Sequence, residues 1–265
     1  MFIKPNWSAP LNVKALCTTR QAKEVAEAFK GQSLPPFDKL NLATYVGDDI
    51  EAVNKNRQLL QKSAALPTLP FWLDQQHTVN AVCLDALSYQ HWTPVIADAS
   101  WTTQPDKVAV AMTADCMPLL ITNTKGTLVC AIHAGWKGLA DGIVTQTVQS
   151  LPESPQNLLV WIGPCIRQAN FQVGLDVYQR FCAKNPENAQ YFQKQMQKQA
   201  QKTQTQTKYL ADLPGLVKCE LLHLGITQIL DSELCTYDHS EQFYSYRRDG
   251  VTGRMASLIW IENEF

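Results

Sequence analysis

Three short apolar runs constrain this chain more than anything else in it. They are Val108 to Met112, Leu128 to Ile132 in "TLVCAIHAGW", and "NLLVWI", which ends at Gly163-Pro164. Each is short, rich in Val, Ile and Leu, and bounded by turn-forming residues, which is the pattern of buried strands. Helical spacing recurs between and after them. A helix is read over residues 138–151, with Leu139, Ile143, Val144, Thr147 and Val148 on one side. Another is read over roughly 50–64, capped by Asp49 and ended before Pro67, and others near 174–184 and over "LPGLVKCELLHLGI". The chain has 265 residues, with no internal repeat and no linker-like stretch. Strands alternating with helices over that length imply one α/β domain spanning 1–265.

The remaining segments are less regular. "VKALCTTR" reads as a strand, "AKEVAEAFKG" as briefly helical, and "QSLPPFDKLNLATYVGDD" as a loop punctuated by Pro35 and Pro36. "PFWLDQQHTVNAVCL" suggests two strands separated by a polar break. The C-terminal "QFYSYRRDGVTGRMASLIWI" reads as two strands around a glycine-containing turn. Residues 190–208 are rich in Gln, Lys and Thr and read as a solvated helix or a mobile surface segment.

Charge and cysteine usage narrow the class. The net charge is −1, so no basic surplus points to nucleic acid or to an anionic membrane surface. No apolar stretch approaches the roughly 18 residues of a membrane span, and the N-terminus has no signal-like apolar region. A soluble, cytoplasmic protein is expected; a monomer is compatible with the sequence, which does not set an oligomeric state. The eight cysteines are scattered with no C-x-x-C pair, so they are read as reduced thiols, several of them small hydrophobes and at most one or two of them functional.

Chemistry concentrates where strand patterns stop. Of the five histidines, His91, His223 and His239 read as surface or core-edge residues. His77 and His133 each fall where a strand ends and the chain turns, and Cys116 does the same in "MTADCMPLL". Two histidines and a cysteine supply three of zinc's four tetrahedral positions and leave the fourth open, as catalytic zinc requires. An open zinc ion brings the pKa of bound water towards neutrality. Rival readings stand beside it. Cys116 is also read as a buried thiol beside two unrelated histidines, or as a nucleophile with His133 as its base. With Met117, the same residues also suggest a blue-copper set, ranked below zinc.

Several ordered motifs add a resemblance. "MTADCMPLLI", "AIHAGWKGL", "WIGPCI" and "FYSYRRDGVTGRMAS", with "LPPFDKLNLATYVGDD" and "NKNRQLL" further upstream, together resemble the YfiH-type family over nearly the whole chain. That family is also called laccase-domain, polyphenol-oxidase-like, or peptidoglycan editing factor. The resemblance implies a single-domain, layered α-β-β-α sandwich with mixed sheets. It implies a metal, usually zinc, on His77, Cys116 and His133. It also implies phosphorolysis of purine nucleosides (adenosine, inosine, methylthioadenosine) and deamination of adenosine. Two alternatives travel with it: a hydrolase that edits misbuilt peptidoglycan precursors, and a copper polyphenol oxidase. Five histidines are too few for a multicopper cluster, so copper is the lesser expectation. Two positions depart from the family pattern. Thr78 stands where a glycine often follows the first histidine, and Lys137 stands for an arginine, which keeps the charge but loses the bidentate fork.

On that reading the partners are a small nucleoside and phosphate. Deamination needs an activated water, supplied at the metal on His77, Cys116 and His133, and a proton carrier. Asp115, beside a ligand, is a candidate for orienting a histidine or handling a proton; the alternative is a turn cap. Gln76 is a candidate substrate contact. Phosphate candidates are Arg57, Arg247 and Arg248, because guanidinium groups bind phosphate bidentately. Arg247 and Arg248 alternate across the expected strand, so only one should face the site. Asn41 is read as a ribose contact or a loop support. Trp136 stacks on a base or covers the core, Gly135 allows a close approach or a positive φ, and Cys165 is read as packing.

Overall fold

The computed structural model describes residues 2–21, 31–89, 93–195 and 207–263. His91, most of "AKEVAEAFKG" and residues 196–206 of the Gln-rich run lie outside them. The first part of the chain carries β1 (Phe2–Ile3), β2 (Val13–Thr18), α1 (Ile50–Ser63) and β3 (Ala81–Cys83). The middle carries β4 (Ala99–Thr102), β5 (Ala109–Thr113), β6 (Met117–Asn123), β7 (Val129–Ala134), α2 (Trp136–Asp141), α3 (Ile143–Ser150) and β8 (Leu158–Ile162). The last part carries β9 (Gln172–Gly174), α4 (Leu175–Lys184), β10 (Phe192–Gln195), β11 (Lys208–Ala211), α5 (Leu213–His223), β12 (Gln228–Asp231), α6 (Tyr246–Asp249) and β13 (Met255–Ile261).

Among the described residues, a six-stranded sheet runs β12-β8-β6-β7-β4-β3, a four-stranded sheet β1-β2-β13-β5, and a three-stranded sheet β10-β11-β9. The six-stranded sheet is mixed: β12 with β8 and β3 with β4 are parallel, and the inner pairs are antiparallel. The period of two along each strand sorts side chains into layers. Met117, Leu119 and Ile121 of β6 face one core with Leu139, Val144, Phe181 and Val217 of the helices. Leu120 of β6, Val129 and Ala131 of β7 and Trp161 of β8 face a second core, shared with Ala109, Ala111, Met255 and Ile259 of the four-stranded sheet. Val110, Met112, Leu258 and Trp260 point the other way, onto Leu60 of α1. The order is therefore helices, large sheet, smaller sheet, helix, which is the expected layered α-β-β-α arrangement. Both sheets are covered on both faces, which explains why their strands are continuous apolar runs rather than alternating ones.

Local signals set several boundaries. The Asp49 side chain accepts from the Ala52 N–H and starts α1. The helix read over 138–151 is broken: Gly142, at φ 100, ends α2 by donating to Gly138 and Leu139 and then starts α3. The C-terminal pair of strands is one strand, β13, preceded by the helical turn α6. Ser245 caps α6 by accepting from the Arg248 N–H, so a side-chain cap overrides the β-rich composition there. The first half of "PFWLDQQHTVNAVCL" forms no strand, and only β3 does. The described ends of the Gln-rich run are strands β10 and β11, paired antiparallel, rather than helix or loose surface. No helix among the described residues is long and apolar enough to cross a membrane.

Candidate functional site

Strand register brings the chemistry together. Pro118 of β6 pairs with His133 of β7, and Ala99 of β4 pairs with Ile132 on the other side of β7. One residue before β6 lies Cys116; one residue before β4 lies Asp98. Both therefore flank His133 at one end of the large sheet. His133 has the parity of Val129 and Ala131 and Cys116 that of Leu120, so both point into the space between the two sheets. His77 arrives from the loop before β3, with its backbone in the left-handed region at φ 59. Its Nε2 lies 3.6 Å from Cys116 Sγ, and its ring meets that of His133 edge-on at 4.8 Å between centroids.

Ligand atoms of His77, Cys116 and His133 all lie within 4.8 Å of one another. Tetrahedral zinc, with bonds of about 2.3 Å to sulfur and about 2.0 Å to nitrogen, separates such donors by roughly 3.5 Å. The Cys116–His77 separation fits that. Gly135 makes room for the cluster: a Cβ there would lie 2.4 Å from His77 Cδ2, 2.7 Å from His77 Nε2 and 3.0 Å from Cys116 Sγ. Its φ is −69, so close approach rather than a positive φ is what the glycine permits.

The electrostatics favour a thiolate. Burial alone would push the Cys116 thiol up, but His133 and His77 outweigh it and bring it down to about 6. Burial opposes charge on His133, and Cys116 and Asp98 overcome it, raising it to about 9. Buried thiols without such partners go the other way: burial pushes Cys17 and Cys165 up to about 12. A deprotonated thiol is the form that binds a metal or attacks an electrophile.

The cluster lies in the wall of an open cavity of about 520 Å³, within the roughly 300–1,000 Å³ range of small-molecule sites. Aromatic rings of Tyr45, Trp136, Phe171 and Tyr246 line it, with the cationic groups of Lys137, Arg247 and Arg254. Met117 is buried on the opposite face of β6, so it does not complete a copper set with Cys116.

The other candidates divide. Asp115, at φ 90, lines the cavity but spends its carboxylate on Thr236 Oγ1 (2.6 Å), Ser245 Oγ (2.9 Å) and the Arg247 N–H (2.7 Å). It braces the turn that presents Arg247; the carboxylate bonded to a histidine of the cluster is Asp98. Arg247 and Arg248 lie on α6, not on a strand. Arg247 reaches the cavity, its guanidinium over the Phe171 ring at 5.2 Å and one N–H on the Gln172 carbonyl. Arg248 instead donates to the carbonyls of Thr236, Tyr237 and Phe243. Gln76 bonds Asp74 at the surface, while Gln75 lines the cavity and pairs both ways with the Met112 backbone. Asn41 is buried and spends its amide on Ala43, Asp48 and the Arg254 N–H. Arg57 donates to the Leu42 carbonyl and lies 4.2 Å over the Trp72 ring. Neither Asn41 nor Arg57 lines the cavity.

Residues 22–262 match the family described as multi-copper polyphenol oxidoreductase laccase. The chain belongs to this family. It is 41% identical over 260 residues to a purine nucleoside phosphorylase of Haemophilus influenzae, covering 98% of this chain and 99% of that protein. It is 39% identical over 260 residues to purine nucleoside phosphorylase YfiH of Escherichia coli, covering 98% of each. Its fold is similar to the crystal structure of Neisseria meningitidis protein NMB0706, with TM-score 0.86, 37% identity and 99% of both chains covered. The family's description implies a metal, and in this member the His77–Cys116–His133 set is the candidate place for it.

A second cluster, Glu187, Cys219 and His223, also lies within 4.8 Å, yet it does not converge on one point. Cys219 Sγ faces Nδ1 of His223, which already bonds the Cys219 carbonyl, whereas Glu187 faces Nε2. Asp98, Tyr45, Gln75 and Arg254 escaped sequence reasoning. Asp98 alone had a local signal, in its position immediately before a strand.

Proposed function

We propose that this family member is a zinc-dependent purine nucleoside phosphorylase that also deaminates adenosine. The observation that carries the reading is the pairing, in one cavity, of an open three-ligand set with aromatic walls and a cationic rim. The names of full-length relatives at this level of identity support phosphorolysis of purine nucleosides and mark the chain as an enzyme.

Phosphorolysis joins a phosphate oxygen to the ribose C1′ and breaks its bond to the purine, so the site must hold an anion beside a flat, apolar base. Arg247, Arg254 and Lys137 supply positive charge for the phosphate. Phe171, Tyr246, Tyr45 and Trp136 offer faces and edges for the purine. Asp115 holds the α6 turn so that Arg247 keeps its direction. Cys116 as thiolate, His77 through Nε2 and His133 through Nε2 are the residues that would hold zinc. When bound, zinc polarises an oxygen atom at its open position, substrate or water. Zinc suits one thiolate and two imidazoles with an open fourth position, and Met117, the thioether adjacent to Cys116, is turned to the opposite face of β6.

Purified protein incubated with adenosine or inosine and phosphate should release free base and ribose 1-phosphate in proportion to phosphate. Absence of any phosphate-dependent product from a panel of purine nucleosides overturns the phosphorylase reading. Inosine formed from adenosine without phosphate tests the deaminase half separately.

A further inference from the structure

We propose that Asp98 is the positioning residue of the metal centre, one buried carboxylate that orients both histidine ligands. The inference rests on the metal reading above and adds the group that makes the ligand set rigid.

Asp98 is 1% exposed. Its Oδ1 takes the His133 Nδ1–H at 2.7 Å and the His77 backbone N–H at 3.1 Å. Its Oδ2 takes the Thr78 N–H at 2.5 Å and the Thr78 hydroxyl at 2.7 Å. Four donors use the acceptor capacity of a carboxylate. Its backbone carbonyl also accepts the His133 N–H at 2.7 Å, so His133 is held by main chain and side chain alike.

Each bond has a consequence for ligation. A carboxylate accepts only, so Nδ1 of His133 carries a proton and Nε2 is the ring nitrogen left to meet a metal, giving up its own proton when one binds. His77 sits in the left-handed region, which costs a non-glycine residue about 1 kcal/mol or more. Two consecutive N–H groups, His77 and Thr78, converge on Asp98 and hold that turn. Thr78 contributes a third bond through its hydroxyl, which a glycine at this position would lack. The Thr78 side chain thus adds a tether between the His77 loop and the carboxylate. A group that served only to satisfy loop amides would have no reason to engage the imidazole as well.

The test compares wild type, Asp98→Asn and Thr78→Val as full-length proteins, each stripped of metal. Zinc affinity is measured by competition with a chromophoric chelator, and the thiolate-to-cobalt absorption band is recorded after Co²⁺ loading. In Asp98→Asn the amide presents a donor to one of its two sets of donors, so His133 or the His77 turn loses its partner. Zinc should bind roughly 10–100-fold more weakly and the cobalt band should shift or weaken. Thr78→Val should lose several-fold in affinity, with its thermal unfolding transition retained. Wild-type protein that binds neither ion sinks the metal reading itself. Wild type that binds while both variants match its affinity and spectrum overturns the role of Asp98 alone. Should Asp98→Asn not fold, Thr78→Val decides: weakened binding in a folded protein supports the role, and unchanged binding rejects it.

Discussion

Gly135 lies against the ring of His77, so close that a methyl group on its α-carbon would meet Nε2 at 2.7 Å and Cys116 Sγ at 3.0 Å. The backbone there, at φ −69, accepts any residue, so the missing side chain leaves space for the site rather than for the chain path. Gly135→Ala should therefore fold, with an unfolding midpoint near that of wild type. It should push His77 away from Cys116 and weaken zinc binding by roughly ten-fold or more. Chelator competition reads the effect directly.

Cys116→Ala removes the only sulfur of the ligand set and the group whose charge raises His133. Bound metal should fall well below one per chain by elemental analysis, and nucleoside turnover should fall by at least about 10²-fold. A folded, metal-free, inactive variant is the expected outcome. A variant that keeps full turnover would show that the chemistry happens elsewhere.

Neighbouring arginines on α6 should separate cleanly. Arg247→Ala removes a cation from the cavity wall, so KM for phosphate should rise about ten-fold or more, the size of a charge-assisted hydrogen bond, while thermal stability changes little. Arg248→Ala leaves the carbonyls of Thr236, Tyr237 and Phe243 without their donor and should cost about 2 kcal/mol of stability. Steady-state kinetics and thermal unfolding on the two variants distinguish the roles.

Acid stability should depend on Asp231. Burial would push its carboxyl up, but Arg167, which grips it with two bonds at 2.7 and 3.0 Å, and Lys218 at 2.9 Å bring it down to about 2. A depressed carboxyl contributes stability that is full above its ordinary value of 3.8 and lost as pH falls towards about 2. Arg167→Met should flatten the acid limb of a urea-unfolding profile over that window and destabilise the protein by about 2 kcal/mol near neutral pH, with Lys218 left as the remaining partner.

Much of the scaffold was legible because its signals are local. Asp49 before an apolar period announced α1, and the runs around Val110, Ile132 and Trp161 announced strands. The break at Gly142 escaped because glycine within a helical period is ambiguous until its φ is known. The first of the two expected C-terminal strands fails for a related reason: "FYSY" has strand composition, and what turns the next residues into α6 is the Ser245 cap and the Asp115 carboxylate, the latter more than a hundred residues away.

The sequence by itself determined the layered strands and helices and marked His77, Cys116 and His133 as residues stranded at strand ends, because period and punctuation act over a few residues. Only the tertiary structure decided what surrounds them. Asp98 joins His133 because β4 and β7 run antiparallel in one register. Gln75 rather than Gln76, and Arg247 rather than Arg248, face the cavity because each neighbour's side chain is spent on polar groups of the chain outside it. Arg254 and Tyr45 reach it from opposite ends of the sequence. Such pairings are fixed by register and layer packing, which bring together residues whose separation along the chain leaves no periodic trace.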